Sequence, residues 1–132
     1  MTKKYRNREI VTSCLEYHIV WTTKFARSVI EPEMHACLKN AIMAGARKLG
    51  CTIRVINVLK NWIYIHVGAT PEVSPNQIVK AIKRQTSIDM TAQFPEIRSR
   101  LPCIWTRNYM ITGSPNIAHQ EIIDYVTSQK TK

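Results

Sequence analysis

CTIRVINVLKNWIYIHV, residues 51–67, decides the fold. Its two β-rich runs, 51–59 and 62–67, carry Ile and Val at alternate positions and are joined only by the polar pair Lys60-Asn61. So short a link leaves one geometry, two antiparallel strands side by side in a hairpin. Upstream, SCLEYHIVWT at 13–22 is another mostly apolar β-rich run, read as a central strand. Between it and the hairpin, Glu31-Pro32-Glu33 opens a helix, since proline suits a first helical position and acids suit that end of the dipole. Met34, Leu38, Ile42 and Leu49 form its apolar stripe, and Gly50 ends it. Downstream, Ser74-Pro75-Asn76-Gln77 is a capped helix start, with Ser74 and Gln77 spaced for a capping box. Ile78, Val79 and Ile82 face inward, leaving Lys80, Lys83 and Arg84 for solvent or ligand. CIWTRNYMIT at 103–112 reads as a fourth strand, and a last helix from Ser114-Pro115 to Gln129 buries Ile122, Ile123 and Val126. The order βαββαβ predicts an α+β chain with a ferredoxin-like, RRM-like split βαβ antiparallel sheet and an extra C-terminal helix.

A chain of 132 residues is expected to be one domain, with residues 1–12 a basic arm. No stretch approaches the roughly 20 apolar residues of a membrane span. The N-terminus lacks a signal peptide's apolar run, so a soluble, cytoplasmic protein without a membrane partner is expected. Cys14, Cys37, Cys51 and Cys103 stand singly, which argues against zinc and against a disulfide framework and predicts buried or semi-buried thiols. Nineteen Lys and Arg against nine Asp and Glu leave a formal charge of +10, spread along the chain, and favour a polyanion partner.

YHIVWTTKFARSVI at 17–30, WIYIHV, SPNQIVKAIKRQTSIDMTAQFP, IWTRNYMITGS and the terminal EIIDYVTSQ, in this order, resemble the IS200/IS605-type single-tyrosine transposases over nearly the whole chain. The resemblance implies a homodimer that grips single-stranded or hairpin DNA. It also implies a nucleophilic tyrosine, Tyr125, on the last helix, cleaving and joining strands through a phosphotyrosine. Gln129, one turn on, shares a helix face with Tyr125 and Glu121. In such transposases two histidines and this glutamine hold a divalent metal, Mg or Mn, that polarises the phosphate. A phenol with a pKa near 10 needs that help.

The sequence departs from the family at the histidines. Where the resemblance puts a His-hydrophobe-His motif on the second hairpin strand, this chain has Trp62, Ile63 and Tyr64. Alternation puts Trp62, Tyr64 and His66 on one face, leaving His66 as the imidazole nearest the lost site. A substitute metal site from His66 and Gln129, with Glu121 and His18, is one reading; a hydrogen-bonded structural histidine is the other. Trp62 and Tyr64 either stack unpaired bases on an open sheet face or fill the space the metal site vacated. Lys80, Lys83 and Arg84, with Arg107 on the fourth strand, are the candidate phosphate contacts. The function expected is transposase-like DNA binding with catalysis impaired. The alternatives are an active transposase with an altered metal site, a catalytically dead domesticated DNA-binding regulator, and a ferredoxin-like dimer binding a small ligand or protein.

Overall fold

A computed structural model describes residues 15–97, 103–113 and 118–131. The basic arm at 1–12, the start of the first strand and the Ser114-Pro115 helix start lie outside these residues. The chain runs β1 (Leu15–Thr22), α1 (His35–Arg47), β2 (Thr52–Val58), β3 (Trp62–Ala69), α2 (Pro75–Gln93), β4 (Met110–Thr112) and α3 (His119–Ser128). The sheet order is β2-β3-β1-β4, with every pairing antiparallel. Helix α1 therefore leads from β1 to β2 with β3 between them, and α2 leads from β3 to β4 with β1 between them. The β2–β3 hairpin turns at Lys60-Asn61, as its sequence predicts.

Strand alternation divides the side chains between two cores. Ile19 and Trp21 of β1 and Ile63, Ile65 and Val67 of β3 point to one face, packed by Leu38 and Ile42 of α1 and by Ile78, Val79 and Ile82 of α2. Each fully buried Ile or Leu there is worth roughly 1.5–3 kcal/mol over its exposed state. The opposite face carries His18, Val20, Trp62, Tyr64 and Met110, and α3 lays Ile122 and Val126 on Val20. Helix α1 approaches α2 at Gly45, where a Cβ would stand 3.0 Å from the Ile82 Cα. The α2 start forms as its sequence dictates: Ser74 Oγ accepts from Gln77 N–H at 3.1 Å, and Gln77 Oε1 accepts from Ser74 N–H at 2.8 Å.

Four expectations are corrected. The first helix opens with a 3-10 turn over Pro32–Met34, and α1 proper ends at Arg47, three residues before Gly50, whose φ of 72° closes the turn. The fourth strand is only Met110–Thr112; upstream, Trp105 makes a single bridge to Thr23 and its indole N–H donates to Thr86 Oγ1 at 2.8 Å. Arg107 therefore lies in irregular chain before β4, because side-chain anchoring of Trp105 replaces ladder pairing. Ile123 is half-buried, since α3 turns only the Ile122 and Val126 stripe onto the sheet. Cys103 is exposed, whereas Cys51 is buried and Cys37 half-buried.

The segment after β1 is conformationally unusual. Phe25 and Ala26 both have left-handed backbones, with φ of 57° and 53°, a state costing of order 1–3 kcal/mol each for such residues. It is held by several independent bonds. Thr23 N–H donates to Asn61 O, Lys24 N–H to Ile104 O, and Asn61 Nδ2 to Ala26 O. Thr23 Oγ1 closes the loop onto Arg27 O at 2.6 Å.

Candidate functional site

The α3 face of the sheet gathers most of the sequence-predicted residues. In the β1–β3 register Thr22 faces Trp62, Val20 faces Tyr64 and His18 faces His66. Both aromatic side chains are half-buried, because α3 brings Tyr125 and Val126 over the same cluster. The open face expected for base stacking is thus partly roofed.

The two imidazoles are neighbours across the β1–β3 ladder: the His18 and His66 rings stack at 4.4 Å between centroids. A chain of polar contacts crosses the sheet from there. A 2.6 Å hydrogen bond joins Tyr64 Oη to His18 Nδ1, and burial pushes the Tyr64 phenol above its ordinary pKa. His66 Nε2 pairs with Glu16 Oε1 at 2.9 Å, and Arg54 holds both Glu16 oxygens at 3.0–3.1 Å. Period-two alternation in β1 could have exposed this set, since Glu16 and His18 fall on one face.

Tyr125 rests half-buried on this face. Its hydroxyl is buried and, among the described residues, has no hydrogen-bond partner. Burial pushes its pKa up to about 12. Such a phenol is held neutral, with no cation or base hydrogen-bonded to it among the described residues.

Gln129 is buried just beyond α3, where its Oε1 accepts from Asn108 Nδ2 at 3.2 Å and its Nε2 donates to Ser128 Oγ at 3.0 Å. Ser128 Oγ in turn donates to Tyr125 O. Glu121, expected on the same face, is exposed and accepts the Ala118 N–H, so it caps the helix.

The donors present do not fit a divalent metal. His66 is committed to Glu16, His18 to Tyr64 and Gln129 to Asn108. Among the described residues no group of three or more His, Cys, Asp or Glu side chains is arranged to hold an ion. The indole and phenol at 62 and 64 occupy the face instead.

The candidate phosphate contacts divide. Lys80, Arg84 and Arg107 are exposed. Lys83 is not on the solvated face: its Nζ donates to Thr106 O at 2.8 Å and to Asn108 O at 3.0 Å. Burial draws its pKa down to about 8, with a smaller opposing pull from Cys103. Lys83 thus clamps the carbonyls on either side of Arg107, and through Asn108 it tethers the end of the tyrosine helix. No local signal separates this lysine from its exposed neighbours, since the carbonyls come from residues 23 and 25 positions away.

The antiparallel four-stranded sheet thus carries α1 and α2 on one face and α3, with Tyr125, on the other. The chain belongs to the IS200-like transposase family, whose sequence profile, Transposase IS200 like, matches residues 11–129. It is 26% identical over 120 residues to the ISDra2 transposase TnpA of Deinococcus radiodurans, covering 89% of this chain and 86% of that protein. The fold superposes on a crystal structure assigned as a transposase from Deinococcus radiodurans R1 with a TM-score of 0.82 and 25% identity, covering 97% of this chain and 98% of the other. A REP-associated tyrosine transposase, solved bound to a REP hairpin, shares the fold at a TM-score of 0.58 and 15% identity, over 85% of this chain and 62% of that one. No helix among the described residues is long and apolar enough to cross a membrane.

Proposed function

We propose that this transposase-family chain binds single-stranded or hairpin DNA and that its strand-cleaving chemistry, which would use Tyr125 as nucleophile, is impaired. One observation carries the reading: the face that should activate a phosphate holds Trp62 and Tyr64, and Tyr125 Oη lies buried there without a partner among the described residues. A neutral phenol with a pKa near 12 supplies almost no phenolate at neutral pH, and each pH unit of separation costs about tenfold in the reactive form. Binding needs none of this chemistry. The charge of +10 and the exposed Lys80, Arg84 and Arg107 supply the phosphate contacts. A relative of the same fold bound to a DNA hairpin supports that partner. Homodimerisation, which the family resemblance implies, and a cytoplasmic location are part of the same proposal.

The test is incubation with single-stranded oligonucleotides from the flanking genomic DNA, with magnesium or manganese, read on native and denaturing gels. The expected result is a native-gel shift that weakens steeply with salt, with no covalent adduct. A protein–DNA adduct abolished by Tyr125→Phe would overturn the impairment, and the absence of any shift would overturn DNA binding.

A further inference from the structure

The loop after β1 borders the tyrosine face. Its left-handed backbone turns the Phe25 ring outward, 38% exposed, and sets two cations beside it: Lys24 Nζ at 5.0 Å and Arg27 Cζ at 5.9 Å from the ring centroid. A backbone conformation this unfavourable persists only where surrounding bonds over-determine it, and such residues concentrate at functional sites. The loop is bonded through Asn61 to the wall of a cleft of about 510 Å³ at the hairpin turn. Ile30, Leu59 and Trp62 supply apolar walls, with Glu31, His35 and Lys60 as polar ones. Its volume lies within the range of small-ligand pockets, ample for one base. On its other side the loop meets the tyrosine helix, since Ala26 packs with Ile122 and Val126.

We propose that the Phe25 loop and this cleft bind an unpaired nucleotide of single-stranded DNA, with the base against Trp62 and Leu59 or on Phe25 and the phosphate between Lys24, Arg27 and Lys60. The chemistry of the set selects this ligand: aromatic and apolar surfaces accept a base of any sequence, and closely placed cations accept its phosphate. A paired base could not use it, because its faces are already stacked within the duplex. The proposal rests on the DNA-binding reading above and adds where a single-stranded flank runs, past the end of α3.

The experiment is fluorescence anisotropy with a labelled hairpin oligonucleotide carrying a single-stranded flank, against the same hairpin with a blunt end. Phe25→Leu and, separately, Leu59→Gln are expected to weaken binding of the flanked hairpin by about 5- to 150-fold and to leave the blunt one nearly unchanged. Phe25→Tyr, which keeps the ring, should restore the flanked affinity. Variants that bind the flanked hairpin as the wild type does, or lose both hairpins equally, would refute the site while leaving DNA binding intact. A wild type that binds neither hairpin would overturn both readings.

Discussion

Removing the Tyr125 hydroxyl should stabilise the protein. The oxygen is buried, with no hydrogen-bond partner among the described residues, so folding strips it of water and returns nothing. Protein substitutions put the cost of an unpaired buried hydroxyl at about 1–3 kcal/mol. Tyr125→Phe keeps the ring against the cluster of Val20, Ala26, Ile122 and Val126, opens no cavity of consequence and deletes only this penalty. The expected gain is about 1 kcal/mol at neutral pH, roughly 3–5 °C in Tm for a chain of this size. Urea unfolding of both proteins measures it. The pH dependence gives a second reading of the same contact. The folded-state pKa is raised above the unfolded value of 10, so wild-type stability is fully present below pH 10 and falls as pH rises toward 12, while the unfolded state alone loses the proton. Tyr125→Phe should lack that loss. A variant less stable than the wild type by about 0.5–1.5 kcal/mol would mean that the hydroxyl is satisfied in the folded state, and would refute the account of Tyr125 as an unactivated phenol.

Lys83→Met isolates the half-buried ammonium. Its folded pKa is depressed from 10.5 to about 8, so the unfolded state binds more protons between those values and wild-type stability rises relative to the variant across that window. At about 1.4 kcal/mol per pH unit the rise is capped at about 3 kcal/mol, and solvent screening at this partly open site leaves about half. A wild-type-minus-variant difference in urea unfolding that stays flat from pH 7 to 10.5 would sink the lowered Lys83 pKa. Gly45→Ala improves helix propensity by about 1 kcal/mol yet drives a Cβ to 3.0 Å from the Ile82 Cα, and overpacking of about 1–3 kcal/mol outweighs it. The urea midpoint should fall with an unchanged m-value; a rise would show that α1 and α2 separate more easily than their contact implies.

Most of the architecture was legible along the chain because it is set by local period and local caps. The alternation in 51–67 specifies a hairpin, Ser74-Pro75-Asn76-Gln77 specifies a helix start, and the βαββαβ order leaves few ways to arrange four strands. Family resemblance, and not spacing, pointed to Tyr125 as the nucleophile, to Gln129 beside it and to Trp62 and Tyr64 in the histidine positions. The misread elements share one cause, which is that distant partners override local preference. Residues 103–109 read as strand, but Thr86 holds Trp105 and Lys83 holds the carbonyls of Thr106 and Asn108, so only Met110–Thr112 pairs with β1.

By itself, then, the sequence determined most of the elements and the charge, since each is written in residue type and spacing. Only the tertiary structure decided what those residues do to one another. It stacked His18 on His66 and bound them to Tyr64 and Glu16, half-buried one lysine among exposed ones, partly roofed the aromatic face with α3 and left the Tyr125 hydroxyl without a partner among the described residues. Desolvation and hydrogen bonding depend on which surfaces the fold brings together, and residues far apart in the chain carry no local mark of that meeting.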